Sequence, residues 1–453
     1  MKKLIPAFAI FGALIQPALS APPSTGTIMP IGWVNGARYM KCNGVTDDTT
    51  GLQNAINDTQ GTDGTLLLPS GICNISATVF ITGTLKVTGA GAGANSGFAA
   101  TTLEWIGASS TTPMINLQGV QDAFFSDFLI ESSVAHPLGI GIQSTTTSPR
   151  LSSANVFSRI FMNGTASAGL GKGFAYIAGS GGDNNNDVNS FYNVTIANYT
   201  KAAWSFEHTQ SKNHRFINCA FNAGSTLANQ YGVTTALGTG STGGSFLWYG
   251  GYGCCNGEAD FYLGSPNDAI MVSGGNFESS SRFLETSGNS SGSWAVSLIG
   301  VRWAGDLLNA DGKAIIFGQS GPLTIMGSTF GIDSTKPLQF SMGSSAPIVA
   351  AAIGSHIYTS LATPFSGGTW SLIGNNINDA PAPRIPSTLI SGQTAVTIAN
   401  LPTCTAAIAG YKQVVSNGQT SPAWNGAVST TGAVYASVGC VQTGASTYGW
   451  VYQ

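Results

Sequence analysis

An all-β fold is predicted: a single parallel β-helix with a helical N-terminal cap and a small C-terminal β module. Three observations predict it. Charge is scarce while glycine is plentiful, a short apolar phrase recurs down the chain, and one helix-like segment precedes that recurrence. Charged residues are 8 % of the 453, against about 25 % in typical domains. The 60 glycines suit many short strands joined by tight turns. With 43 % hydrophobic residues, a core is available and general disorder is not expected.

The recurring phrase reads apolar–x–(Asn, Gly, Asp or Arg)–x–x–apolar. Its copies are Phe125-Ser126-Asp127, Phe157-Ser158-Arg159, Phe191-Tyr192-Asn193, Phe216-Ile217-Asn218 and Trp248-Tyr249-Gly250. It continues as Val272-Ser273-Gly274, Leu298-Ile299-Gly300 and Ile325-Met326-Gly327, with weaker copies at Ala352-Ile353-Gly354 and Leu372-Ile373-Gly374. Three places after the turn position stands another apolar residue, from Ile130 and Met162 to Ile357 and Ile377, and Gly253 alone breaks the rule. The copies are spaced by roughly 20 to 34 residues, the range of solenoids and propellers. Alternation inside each copy says strand. Propeller blades need about 40 residues each, so a three-sided β-helix coil fits better than a blade, and better than a β-sandwich.

Upstream, Lys2 and Lys3, the apolar run Leu4 to Leu14, and Ala18-Leu19-Ser20 make a leader of secretory type. Cleavage is expected near Ser20, giving a secreted or periplasmic protein with no stable membrane insertion. The organisation expected is 1–20 signal peptide, 21–41 N-terminal extension, 42–380 β-helix, 381–390 linker and 391–453 C-terminal β module. The 17 basic and 20 acidic residues give a net charge of −3. Losing the two leader lysines makes it about −5, which is no footprint for nucleic acid.

The cap comes next. Leu52, Ala55 and Ile56 line one face of a short helix, and Thr50 and Gln53 have capping-box spacing. Leu66 to Leu68 then reads as a buried strand ending in a Pro69-Ser70-Gly71 turn. A helix here would plug the open end of the stack. The run Asn43-Gly44-Val45-Thr46-Asp47-Asp48-Thr49, the Leu52-Gln53-Asn54-Ala55-Ile56 helix and that turn resemble the N-terminal signature of the pectate-lyase-like superfamily. The branch is the one shared by phage tailspikes and rhamnogalacturonase- or epimerase-like proteins. The match covers roughly residues 43 to 75, with the later coils alike only in pattern. The resemblance implies a right-handed parallel β-helix whose members act on or bind polysaccharides. Where the family commonly has Gly and an aromatic, this chain has Cys42 and Cys73. That double departure suggests a disulfide between them.

The signature is structural and transfers no catalytic residue. The Gly-His-Gly and Arg-x-Lys motifs of polygalacturonases are missing from the sequence. Asp47 and Asp48 are explained by helix capping. Registering the copies places Tyr252, Asn276, Arg302, Thr329 and His356 in one outward row, with Asn222, Cys254 and Glu278 two places on. Coils lie about 4.8 Å apart, so Glu278 and Arg302 are expected as near neighbours, with Asp306 four places beyond Arg302. Glu278, Arg302 and Asp306 are the candidate catalytic residues. Tyr252, Asn276, Trp294 and His356 are the candidate substrate contacts. Trp248 and Trp303 are expected in the core. Lower-ranked clusters are Glu104 with Asp127 and Glu131, and Glu207 with His208 and His214.

With four histidines and no paired C-x-x-C, a transition-metal site is not expected. Calcium is the one cofactor considered, with Asp183 and Asp187 in an oxygen-rich run as its candidate ligands. Seven cysteines leave an odd one. Cys404 and Cys440 share the C-terminal segment and are placed to pair. Beyond the proline-rich 381–386 stretch, short strands are expected at 394–398, 411–415, 433–438 and 449–452. The functional expectation is an exported protein, monomer or homotrimer, that cleaves or remodels a polysaccharide. The alternative is a non-catalytic glycan-binding surface or tailspike-like protein.

Overall fold

The computed structural model describes most of residues 32–381, interrupted mainly at 93–99, 144–150, 178–185, 236–243 and 287–294, and parts of 398–452. The leader, Asp183, His208, Trp294 and residues 382–390 lie outside the described residues. Residues 32–381 form a parallel β-helix in which each coil contributes three short strands. The strands stack into three faces. Face 1 contains strands such as Gly244–Tyr249 and Ala269–Ser273, and face 2 contains Tyr252–Cys254 and Asn276–Glu278. Face 3 contains Ala259–Leu263 and Leu284–Thr286.

The recurring phrase marks the corner from face 1 to face 2. Its turn residue has positive φ in every copy, from Asp127 (63°), Arg159 (51°), Asn193 (52°) and Asn218 (51°) to Gly250 (66°), Gly300 (62°) and Gly374 (63°). This left-handed conformation is tolerated by Gly and Asn and strained for most other residues. Each corner then passes a hydrogen bond to the next coil. Gly250 N–H donates to Ser273 O, Gly274 N–H to Ile299 O and Gly300 N–H to Met326 O.

Inside, the phrase's apolar positions stack coil on coil. Phe125, Phe157, Phe191, Phe216 and Trp248 form one ladder, with successive ring centroids 5.2, 5.1, 4.8 and 5.2 Å apart. A second ladder runs Ile196, Phe221, Gly253, Phe277, Trp303 and Phe330. Gly253 interrupts it for a steric reason. A Cβ there would sit 2.4 Å from Phe277 and 2.5 Å from Phe221, so the two large rings share the space of its missing side chain. Trp248 and Trp303 are fully buried.

The helix Thr49–Gln60 packs Leu52, Ala55 and Ile56 onto the first coils. Its N-terminus is capped by Asp47, whose Oδ1 accepts from Thr49 N–H at 3.0 Å. The capping box expected of Gln53 is not used. Instead Gln53 bonds both the N–H and the carbonyl of Phe80, clamping the helix to a strand. Asp48 faces back and accepts from the N–H groups of Lys41 and Cys42. Cys42 is bonded to Cys73.

The parallel stack ends where Ala380–Pro381 pairs antiparallel with Asn376–Ile377. Farther on, Lys412–Gly418, Val434–Gly444 and Thr447–Tyr452 form a three-stranded antiparallel sheet, with Cys404 bonded to Cys440. Residues 398–400 are a short 3-10 turn, where a strand end was expected.

Candidate functional site

Face 2 presents two outward rows. The first runs Ala220, Tyr252, Asn276, Arg302, Thr329, His356 and Asn376 in strict register. The second, two residues on, runs Asn74, Glu104, Glu131, Asn163, Ala197, Asn222, Cys254 and Glu278. Polar side chains therefore line this face along nearly the whole stack. Face 1 differs. One of its outward rows, Tyr249, Ser273, Ile299, Met326, Ile353 and Ile373, carries no charge, and the row two places before it carries Arg215 beside Leu247 and Met271.

The polar groups are densest at Tyr252–Cys254, Asn276–Glu278 and Arg302–Trp303. Tyr252 Oη donates to Glu278 Oε1 at 2.6 Å across one coil step. Burial, reinforced by this bond to Glu278, pushes the Tyr252 phenol well above its ordinary value. It stays a donor at any physiological pH. Arg302 is exposed, and its guanidinium donates to Asn276 Oδ1.

Glu278 and Arg302, expected as near neighbours, stand on adjacent coils but form no ion pair with each other. Their strands register Asn276 against Arg302, so Glu278 stands two places farther along and bonds Tyr252 instead. Asp306 is tied to the residue next to Glu278, and its charge adds to the upward push on the Tyr252 phenol. It accepts from Ser279 N–H at 2.6 Å and Ser279 Oγ at 2.7 Å, holding a turn whose φ is 52°. His356 is exposed on the same row as Arg302 and contacts Asn376 Nδ2 at 3.4 Å.

The lower-ranked clusters resolve differently. Glu104 and Glu131 are register partners, and Asn163 Nδ2 donates to Glu131 at 3.2 Å. Asp127 is clasped by Arg159 through two bonds of 2.6 Å. His214 is fully buried against Tyr176, and burial pulls it down to about 3, so it is a neutral core group. Glu207 is paired with Lys172 and with Ser205 Oγ. Asp187 spends Oδ1 on Lys212 N–H at 2.6 Å. Among the described residues, the one group of three with metal-ligand geometry is Cys42, Asp48 and Cys73. Both its sulfurs are spent in a disulfide, so no metal centre is built there.

Three features escaped the sequence. Cys254 and Cys255 are bonded to each other at the end of a face-2 strand, leaving Cys219 as the buried free thiol. Asp260 lies fully buried beneath the same coils, accepting from Ser280 Oγ at 2.6 Å and Asn256 Nδ2 at 2.9 Å, with burial raising it to about 7. Arg282, at the corner from face 2 to face 3, gathers Glu258, Glu285 and Asp311. A signal for that corner existed. Glu258 and Arg282 stand the same number of places after Gly250 and Gly274, whereas a longer turn displaces Asp311 from the matching offset after Gly300.

No family model and no curated protein matches the chain. Among solved structures, the chain is similar to a tailspike of Acinetobacter phage vb_AbaP_AS12, at 12 % identity and a TM-score of 0.53, over 94 % of this chain and 82 % of that one. It is also similar to gene product 12 of bacteriophage phi29, at 12 % identity and a TM-score of 0.50, covering 77 % of this chain and 53 % of that protein. At such identities the likeness is one of fold. The β-helix is shared, and the residues on its faces are this chain's own.

Proposed function

We propose that this β-helix is a glycan-binding protein that lays a polysaccharide along face 2, over the coils bearing Tyr252, Asn276, Glu278 and Arg302. One observation carries the reading. Face 2 offers fixed donors and acceptors coil after coil, with Tyr252 locked to Glu278 and Asn276 to Arg302, while face 1 beside it offers an uncharged apolar row. A carbohydrate chain needs such hydrogen-bonding partners held in place in advance, because ordering them on binding costs affinity. The resemblance of the cap residues to a superfamily that binds or acts on polysaccharides supports the same class. The leader-like N-terminus supports a site of action outside the cytoplasm.

Binding is favoured over cleavage by Glu278, Arg302 and Asp306. Glycoside hydrolysis asks for two carboxyl groups flanking the bond, and Asp306 is committed to Ser279. Affinity electrophoresis of the full chain through gels containing a panel of polysaccharides tests the reading. At least one glycan is expected to retard the protein, and Arg302→Ala is expected to weaken that retardation about tenfold, some 1.4 kcal/mol. Unretarded migration across the whole panel would sink the proposal.

A further inference from the structure

The second outward row of face 2 does not end at Glu278. Two places after Arg302, Thr329 and His356 it continues as Ala304, Gly331 and Tyr358. Backbone bonds carry the register across these coils. Ala304 N–H donates to Phe277 O at 2.8 Å, Gly331 N–H to Trp303 O at 2.8 Å and Tyr358 N–H to Phe330 O at 2.9 Å. For two coils the row therefore shrinks to the two smallest residues. A hollow of about 70 Å³ opens there.

Its walls are apolar. Ala304, Gly305, Gly331, Ile332 and Leu338 line it, and Lys336 and Asp306 are its polar members. Gly305 and Gly331 have φ of 69° and 81°, a conformation that favours glycine, so neither position supplies a side chain to fill the space. The space is several times the roughly 10–15 Å³ that one water needs, and water holds only where polar partners surround it.

The polar edge is a donor. Lys336 Nζ donates to Asp306 O at 3.0 Å, and among the described residues no carboxylate pairs with it. An ammonium has three N–H donors, so two are left over. Asp306 contributes only its carbonyl here, because its carboxylate is turned to Ser279.

Apolar walls with a few placed polar groups are the makings of a small-molecule pocket, and this pairing selects among sugar substituents. A hydroxyl or a uronate carboxylate loses its hydration against the apolar walls. The methyl of a deoxy sugar fills the hollow but leaves the Lys336 donors unused. An acetamido group satisfies both, with its methyl in the hollow and its carbonyl oxygen accepting from Lys336.

We propose that this hollow is a subsite for the acetamido group of an N-acetylated sugar, set in the face-2 track between Glu278 and Tyr358. The inference rests on the glycan-binding reading of face 2 and names the sugar class that the track takes.

Saturation-transfer difference NMR on the full chain tests it. The probes are the methyl glycosides of N-acetylglucosamine, N-acetylgalactosamine and N-acetylmannosamine, of their three parent hexoses, and of rhamnose and fucose. At least one N-acetyl glycoside is expected to show its strongest saturation at the acetyl methyl, and to bind about tenfold more tightly than its parent hexose. Lys336→Met keeps the apolar stem and removes the donors. Ile332→Ser changes a wall residue that is 55 % exposed, so the fold should persist. Each variant should erase that tenfold preference. The inference is overturned if no N-acetyl glycoside is preferred over its parent hexose, if rhamnose or fucose binds as well as the N-acetyl glycosides, or if the preference survives both variants. Failure of the face-2 reading shows separately, as unretarded migration of wild type through every polysaccharide gel.

Discussion

Asp260 and His214 are both fully buried, and their pH dependences have opposite signs. Asp260 is raised from 3.8 to about 7. Its folded form keeps a proton that the unfolded chain gives up, so its contribution is full below 3.8 and is lost as pH rises through about 7. His214 is lowered from 6.5 to about 3. Its contribution is full above 6.5 and is lost as pH falls through about 3. Between pH 4 and 6.5 the two slopes oppose each other at about 1.4 kcal/mol per pH unit each. Asp260→Asn removes one of them. Its Tm is expected to fall with acidification through that window relative to wild type, and parallel Tm profiles for the two proteins would refute the buried-acid account. Asp306 offers a second contrast at this scale. Asp306→Ala should cost about 1.5–3 kcal/mol in urea unfolding through the lost charged bonds to Ser279, while glycan retardation stays near wild type. Loss of binding at unchanged stability would return Asp306 to the working site.

At the scale of elements, the phrase was legible because its turn residue must adopt positive φ and its apolar neighbours must stack, and both demands restrict residue type. The outward row from Tyr252 to His356 followed from counting along that register. The partners within the row did not. Arg302 reaches Asn276 rather than Glu278 because long side chains choose among several neighbours by local geometry that spacing does not encode. The Arg282 corner was hidden by the longer turn before Asp311, which broke the count. Gly253 looked like a defect in the phrase and is a packing requirement. Gly253→Ala should therefore destabilise by about 1–3 kcal/mol, measured by urea unfolding, with no change expected if Phe221 and Phe277 part freely. The cap is tied by a bridge between Cys42 and Cys73. Removing it with Cys42→Ala and Cys73→Ala together should cost about 3–4 kcal/mol on the chain-entropy account, read as a lower urea midpoint of the double variant.

For the whole molecule, the division of labour follows from the three faces. Side chains alternate in and out along each strand, so every coil places equivalent residues on the same side of the stack. Small choices repeated coil by coil become properties of whole rows, which is how face 2 carries a polar row from Tyr252 to His356 and face 1 an uncharged one from Tyr249 to Ile373. Stability is likewise distributed, since each coil packs mainly on its two neighbours. The hydrogen bonds handed from Gly300 to Met326, from Gly327 to Ile353 and from Gly354 to Ile373 are interchangeable in kind. The protein is therefore editable in whole turns. Excising Gly327 to Ile353 joins Met326 to Gly354, which steps into the place Gly327 held, and a shorter molecule with intact ladders should result. Cutting away only half of that stretch would bring core positions against the outside and should leave no cooperative unfolding transition at all.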